Sequence, residues 1–238
     1  MTGRCDRTFY DALWKQSAPV ENLLEQARRE KIVSAICKMK HESPDILDLG
    51  CGRGLLPAHL AELGKVTGVD WSEEGIQSCR NLCPQGSFVR GNFFDVSIPQ
   101  QGFDIVVSQE VIEHLLSEDQ GRYLGLVQQS LRHRGHLLLT TPNGPVMDDF
   151  NRENLRVFGK PWSAQPVENW LNRKELARLV CDAGFRIKKL TTFIYMYRHT
   201  GYLRLVNSWK LRQIPVVGAL VPRLCRTGLH IFLVAQKA

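Results

Sequence analysis

Asp48-Leu49-Gly50-Cys51-Gly52-Arg53-Gly54 sets three glycines at alternate positions just after an acid. Glycines so spaced let a backbone turn tightly and approach a ligand closely, beside a helix N-terminus. Asp70 follows twenty positions after Gly50. A carboxylate there can accept both hydroxyl hydrogens of a ribose, which fits an adenosine-containing cofactor. A dinucleotide site needs G-x-G-x-x-G to receive a pyrophosphate, and Leu55 stands where its third glycine belongs. The acid beside the loop would repel a pyrophosphate and suits a cofactor with an ammonium group. A second group is Glu110-Val111-Ile112-Glu113-His114. On a helix, positions 110, 113 and 114 share one face. His114 is then a candidate general base, with Glu113 orienting it. The same three side chains could instead ligate a metal, or merely cap and pack.

These residues need elements to hold them. Residues 19–40 carry apolar side chains at roughly helical spacing, broken at Glu42-Ser43-Pro44. Ile46 to Leu49 reads as a buried strand, Leu55 to Leu63 as a helix, and Val66 to Val69 as a second strand ending at Asp70. Residues 73–83 form a helix, Phe88-Val89 a third strand and Phe103 to Ser108 a fourth. Ser117 and Gln120 fit a capping box for a helix reaching about Leu131. Gly135 to Thr141 is a fifth strand, stopped by Pro142-Asn143-Gly144. Asn172 and Glu175 cap a further helix ended by Gly184, and Arg186 to Tyr195 and Leu229 to Ala235 are the last strands. The alternation predicts an α/β fold with a mostly parallel sheet.

DLGCGRG, VTGVD, GNFFD, FDIVVSQEVIEHL and LLLTTPNG, in that order, resemble the class I S-adenosylmethionine-dependent methyltransferases, and within them the branch that includes the ubiquinone-biosynthesis O-methyltransferases. The resemblance covers residues 45–144 and continues more weakly through 167–185. It implies a Rossmann-like sheet of seven strands flanked by helices, the seventh antiparallel and inserted beside the sixth. It implies S-adenosylmethionine as cofactor, leaving as S-adenosylhomocysteine. Gly50, Cys51, Gly52 and Gly54 would bind it, the first three lining its methionine part, and Asp48 would hold its amino group through water or the loop amides. Asp70 would bind the ribose, with Trp71 beside the adenine. Asn92, where many members carry Asp, would accept from the adenine amine through its carbonyl, Phe93 would offer its backbone amide, and Gln109 would sit near the methionine. E-x-x-E-H with TTPNG also resembles metal-dependent small-RNA 2′-O-methyltransferases. Those need a further His that GKPWSAQPVENWLNR lacks, so no metal is expected.

Composition bounds the partners. The chain has 238 residues and a formal charge of +7. After Asp182 there are ten Lys/Arg and no acid, while residues 1–182 are mildly acidic. A uniformly basic nucleic-acid clamp is therefore disfavoured. Seven scattered cysteines, with Cys79 and Cys83 the one close pair, outline neither a disulfide framework nor a metal knuckle. The polar start excludes a signal peptide, and the longest apolar stretch, Ile214 to Val221, falls far short of the ~20 residues of a membrane span. A cytoplasmic protein is expected. The chain reads as one domain, with 1–42 a helical lid, 45–144 the cofactor-binding core and 196–227 a basic, aromatic insertion. Phe9, Tyr10 and Trp14 would close over the cofactor or pack on the sheet edge. Tyr202, Leu205 and Trp209 recur at helical spacing, so the insertion is expected to be helical. It would act as a substrate lid, an anionic-membrane contact or a site for an anionic acceptor. The expected reaction is methyl transfer to an oxygen of a small-molecule or lipid-linked acceptor. The alternatives are RNA or protein methylation, or a cofactor-binding subunit without turnover.

Overall fold

A computed structural model describes residues 7–16, 21–160, 165–194, 196–199, 202–205 and 228–238. The N-terminal helices are α1 (Arg7–Gln16) and α2 (Leu23–Met39). Then come β1 (Asp45–Leu49), α3 (Leu55–Leu60), β2 (Lys65–Asp70), α4 (Glu73–Leu82), β3 (Ser87–Arg90) and β4 (Phe103–Gln109). A 3-10 turn over Ile112–His114 leads to α5 (Ser117–Ser130), β5 (Leu131–Pro142) and α6 (Gly144–Phe158). The chain closes with α7 (Arg173–Asp182), β6 (Phe185–Phe193), β7 (Met196–His199), β8 (Tyr202–Leu205) and β9 (His230–Lys237).

The main sheet runs β3-β2-β1-β4-β5-β9-β6. Neighbours from β3 to β5 are parallel, and β9 is antiparallel to both β5 and β6. This is the expected seven-stranded arrangement, with the last strand slotted in beside its predecessor. Chain order reverses between β1 and β4, and ligands of open α/β sheets lie at such a point, beyond the carboxyl ends of the strands. The strands bury both faces, as a sheet covered by helices on each side must. Leu47, Leu49 and Val106 join Tyr123, Leu124 and Val127 on one face. Ile46, Ile105 and Val107 join Ile32, Ile36 and Leu60 on the other. Each such side chain contributes about 1.5–3 kcal/mol, enough together to hold the strand ends in register.

Helix ends follow local chemistry, with one reversal. At α7, Asn172 accepts from the amides of Lys174 and Glu175 while Glu175 returns a bond to the Asn172 amide, as expected. The same box opens α2 with Asn22 and Glu25, a signal the apolar spacing hid. The Ser117–Gln120 box does not form. Leu116 is the cap position and has no side-chain bond, and Gln120 is buried, donating to the Ile112 and Asn169 carbonyls at 3.1 and 3.4 Å. The Asn169 carbonyl lies outside any element, and the Ile112 carbonyl otherwise accepts only a 3.3 Å bond from the Leu115 amide; satisfying these interior acceptors outweighs a solvent-side cap. The opening of the 196–227 insertion also departs from expectation. Met196–His199 and Tyr202–Leu205 pair antiparallel, so Tyr202 and Leu205 stand on a strand. A tyrosine and flanking apolar residues in each run suit paired strands. Trp209 and the rest of 206–227 lie outside the described residues. Among the described residues, no helix is long and apolar enough to cross a membrane.

Candidate active site

The glycine loop leaves β1 and folds back against the end of β2. The Gly50 and Cys51 amides donate to the Val69 carbonyl at 2.8 and 3.2 Å. The Gly52 amide donates to Asp70 Oδ2 at 2.8 Å, and the Ser72 amide to Oδ1 at 2.9 Å. Asp70 is thus fixed by two backbone donors. Burial raises its carboxyl above the ordinary aspartate value, and these amides only partly offset that. Gly50 has φ 76°, and a Cβ there would stand 2.5 Å from Val111 Cγ2. Only glycine lets the loop pass so close to the segment after β4. Gly54 plays a different part from the one expected. A Cβ on it would meet the Cys79 backbone at 2.7 Å, and it is not among the residues lining the cavity. It lets α3 and α4 approach each other. Cys51 lines the cavity, while its thiol lies 3.7 Å from that of Cys79, in a small core with Ile76, Cys83 and Phe88.

Asp48 departs from its expected contacts. It is 1% exposed, and neither carboxylate oxygen has a partner among the described residues. The loop amides serve Val69 and Asp70 instead. Burial first, and the charge of Asp70 second, raise its carboxyl to about 8. Buried polar groups are nearly always paired. An unpartnered carboxyl at the root of a glycine loop matches a ligand that brings a cation.

Asp48 and Asp70 line a cavity of about 1110 Å³, together with Trp71, Asn92, Phe93, Gln109, Glu113 and His114. That exceeds the few hundred Å³ one small ligand needs, so it has room for two. The Asn92 carbonyl accepts from the Phe94 amide at 3.0 Å, closing the turn after β3 and leaving a second lone pair. The Phe93 ring packs 5.0 Å from Tyr123 and 4.8 Å from Phe94. Gln109 ends β4 with its Oε1 buried and unpartnered among the described residues. From α1, Trp14 lies against Gly52, 3.4 Å from where a Cβ would sit, and Arg53 stacks on it at 5.6 Å. Asp11 anchors α1 by accepting from Ser72 Oγ at 2.6 Å and the Glu73 amide at 2.9 Å. Asp11 carried no motif in the sequence.

The E-x-x-E-H group does not share one helical face. Glu110 sits outside the 3-10 turn with φ 56°, and the three side chains take separate partners. Glu110 Oε2 lies 2.9 Å from His230 Nε2 and 3.2 Å from Arg28 Nη1. Burial would raise its carboxyl, but these neighbours outweigh it and hold the group at about 2. Glu113 accepts from Thr141 Oγ1 at 2.9 Å. Burial and the Glu110 charge push its carboxyl well up, so it is a neutral acid. His114 Nδ1 contacts the Val167 carbonyl at 3.0 Å, and its Nε2 is 3.8 Å from Glu113 Oε1. Val167, rather than Glu113, therefore orients the ring. A carbonyl can only accept, so Nδ1 carries the hydrogen and Nε2 the lone pair. Burial lowers the His114 pKa, which keeps that lone pair available at neutral pH. Among the described residues, no three His, Cys, Asp or Glu side chains gather as a metal-ligand set. Arg28 and His230 were not singled out from sequence, since neither belongs to a recognisable spacing.

Residues 47–139 match the protein family described as "Methyltransferase domain". A probable S-adenosylmethionine-dependent methyltransferase of Mycobacterium tuberculosis is 29% identical over 163 residues, which are 66% of this chain. The chain spans about half of that relative's length, 54%. A ubiquinone biosynthesis O-methyltransferase of Bradyrhizobium diazoefficiens is 33% identical over 161 residues, 63% of this chain and 61% of the relative. Among solved structures, the magnesium protoporphyrin IX methyltransferase of Synechocystis with bound S-adenosylhomocysteine superposes with a TM-score of 0.63 at 16% identity, covering 98% of this chain and 97% of that one. Residues 47–139 thus match a methyltransferase domain, in a chain similar over about two thirds of its length to S-adenosylmethionine-dependent methyltransferases and sharing their fold.

Proposed function

We propose that this protein transfers the methyl group of S-adenosylmethionine to an oxygen of a small-molecule or lipid-linked acceptor. One observation carries the reading. A buried, unpartnered Asp48 and a ribose-suited Asp70 share a cavity with His114, so a cation-bearing nucleoside and a base meet in one space. Bound there, the cofactor supplies a methyl group already activated on a sulfonium. Asp48 holds its ammonium, Asp70 accepts from its ribose, and Trp71 and Phe93 flank its adenine. His114 Nε2 takes the proton of the acceptor hydroxyl, and the surrounding walls exclude water.

Oxygen as the target is supported by the name of the Bradyrhizobium relative and by a neutral imidazole, which an activated hydroxyl needs and a neutral amine does not. The helices before residue 42 act as the lid, with Trp14 over the glycine loop. The basic run 196–227 lies against an anionic membrane, where a lipid-linked acceptor would be found, and the protein works in the cytoplasm. Calorimetric titration with S-adenosylhomocysteine is the test. Binding is expected, and Asp70→Ala should abolish it. Absence of heat from the wild-type chain at high concentration would sink the proposal. Formation of S-adenosylhomocysteine with a panel of phenols, sugars and prenylated acceptors then separates an enzyme from a non-catalytic subunit.

A further inference from the structure

Three polar groups from distant parts of the chain meet on the cavity wall: Arg28 of α2, Glu110 just past β4, and His230, the first residue of β9. Glu110 Oε2 touches both others, and Arg28 Nη1 also lies 3.2 Å from His230 Nε2. Topology puts His230 there. Because β9 runs antiparallel to β5, its first residue reaches the end of the sheet where ligands lie. Its register sets it opposite Pro142 and Phe193, 4% exposed. Glu110 holds a left-handed φ of 56°, fixed by its amide bond to the Thr140 carbonyl at 3.0 Å. A non-glycine residue persists in that region only where its surroundings over-determine it.

The donor pattern follows from charge. An ionised carboxylate can only accept, so His230 Nε2 carries a hydrogen toward Glu110. In the neutral ring Nδ1 then holds the lone pair, and Nδ1 is buried without a partner among the described residues. Facing Glu110 are Arg28 from α2, His230 from β9, Thr140 from β5 and Glu113 from the 3-10 turn. The Glu110 charge reaches both groups that could handle a proton. It helps keep Glu113 protonated, and with Glu168 it opposes the burial that lowers His114.

We propose that His230 is a positioning residue of the transfer site: through its 2.9 Å bond to Glu110, shared with Arg28, it fixes the anion that decides whether His114 or Glu113 takes the proton. The assignment rests on His114 being the base of the reaction proposed above. It adds a residue to that site that no motif contains.

Nuclear magnetic resonance on the full chain, without cofactor or acceptor, tests it. Imidazole nitrogen signals should show His230 as the Nε2–H form. Glu110→Gln should lower the His114 titration by about one pH unit, the usual effect of removing a nearby carboxylate. The Glu110 carboxyl carbon should stay ionised down to about pH 2 in the wild type. In His230→Leu it should titrate at or above the ordinary glutamate value of about 4.3, and His230→Gln, whose amide donates but carries no charge, should restore the smaller, hydrogen-bonded part of the difference. A His230 that only packs would move neither titration, and unchanged titrations in folded variants overturn the proposal. If His230→Leu does not fold, His230→Gln and Glu110→Gln decide: the former must raise the Glu110 titration only part of the way, and the latter must shift His114. Failure to bind S-adenosylhomocysteine would remove the transfer reading and leave this coupling intact. Loss of the coupling in a chain that binds would remove this assignment alone.

Discussion

Asp48 permits the sharpest test of how the site takes a cationic cofactor. Its carboxyl is raised to about 8 by burial and by Asp70, so near pH 7 only about a tenth of the free protein holds it ionised. A cofactor ammonium needs the ionised form, and binding should therefore expel a proton. If the bound carboxyl stays ionised, affinity rises close to tenfold from pH 6 to pH 7, about fivefold from 7 to 8, and then levels off. Calorimetry with S-adenosylhomocysteine in buffers of different ionisation heat should show roughly 0.9 proton released per site at pH 7. Asp48→Asn should bind at least tenfold more weakly at pH 8, since a charged hydrogen bond is worth about 1.5–3 kcal/mol, and its affinity should not vary between pH 6 and 8. Stability moves the opposite way. The unfolded carboxyl titrates near its ordinary value of 3.8 and the folded one about 8, so the folded state keeps the extra proton in between and stability falls as pH rises through that window. Asp48→Asn removes a penalty of at most about 6 kcal/mol. The ligand-free variant should therefore melt several degrees above the wild type at pH 8.5, a difference that shrinks as pH falls and is lost only below the unfolded value of 3.8. No proton release, together with a variant that binds as the wild type does, would refute the ammonium assignment.

Three further outcomes follow from particular contacts. His114→Gln should cut turnover by about 10²–10⁴ while S-adenosylhomocysteine affinity stays within a few-fold; equal loss of both would make the ring a binding or packing group. Wild-type turnover should fall as pH drops through a value below the ordinary histidine range, because burial lowers this imidazole and acid fills Nε2. Gly50→Ala should weaken S-adenosylhomocysteine binding at least tenfold and cost about 1–3 kcal/mol in denaturant melts, since its methyl group would stand 2.5 Å from Val111; unchanged binding would mean the loop can shift freely. Asn22→Ala should cost about 1 kcal/mol, read as a lower melting temperature, and Asn22→Asp should restore it.

Much of this protein could be read from local order. Apolar runs ending in Gly50 and Asp70 placed β1 and β2, because a strand buried on both faces has to be apolar along its length. The Asn172–Glu175 box placed α7, because a cap acts over a single turn. What failed were choices between competing bonds. Gln120 left a cap for two distant carbonyls, Gly54 served a helix contact and does not line the cavity, and Tyr202 and Leu205 joined a strand pair. In each case the winning partner is invisible to spacing along the chain.

The division runs through the site itself. The spacing of Asp48, Gly50, Gly52 and Asp70 marked one wall of the cavity, since one loop and the strand ends beside it supply all four groups. Only the tertiary structure decided the other half. It left Asp48 without a partner and gave His114 to Val167 rather than to Glu113. It also brought Arg28 and His230, 202 positions apart, onto Glu110. Electrostatic coupling depends on distance through space and on exclusion of water, and an antiparallel strand returning its first residue to the ligand end of the sheet leaves no trace in any short motif.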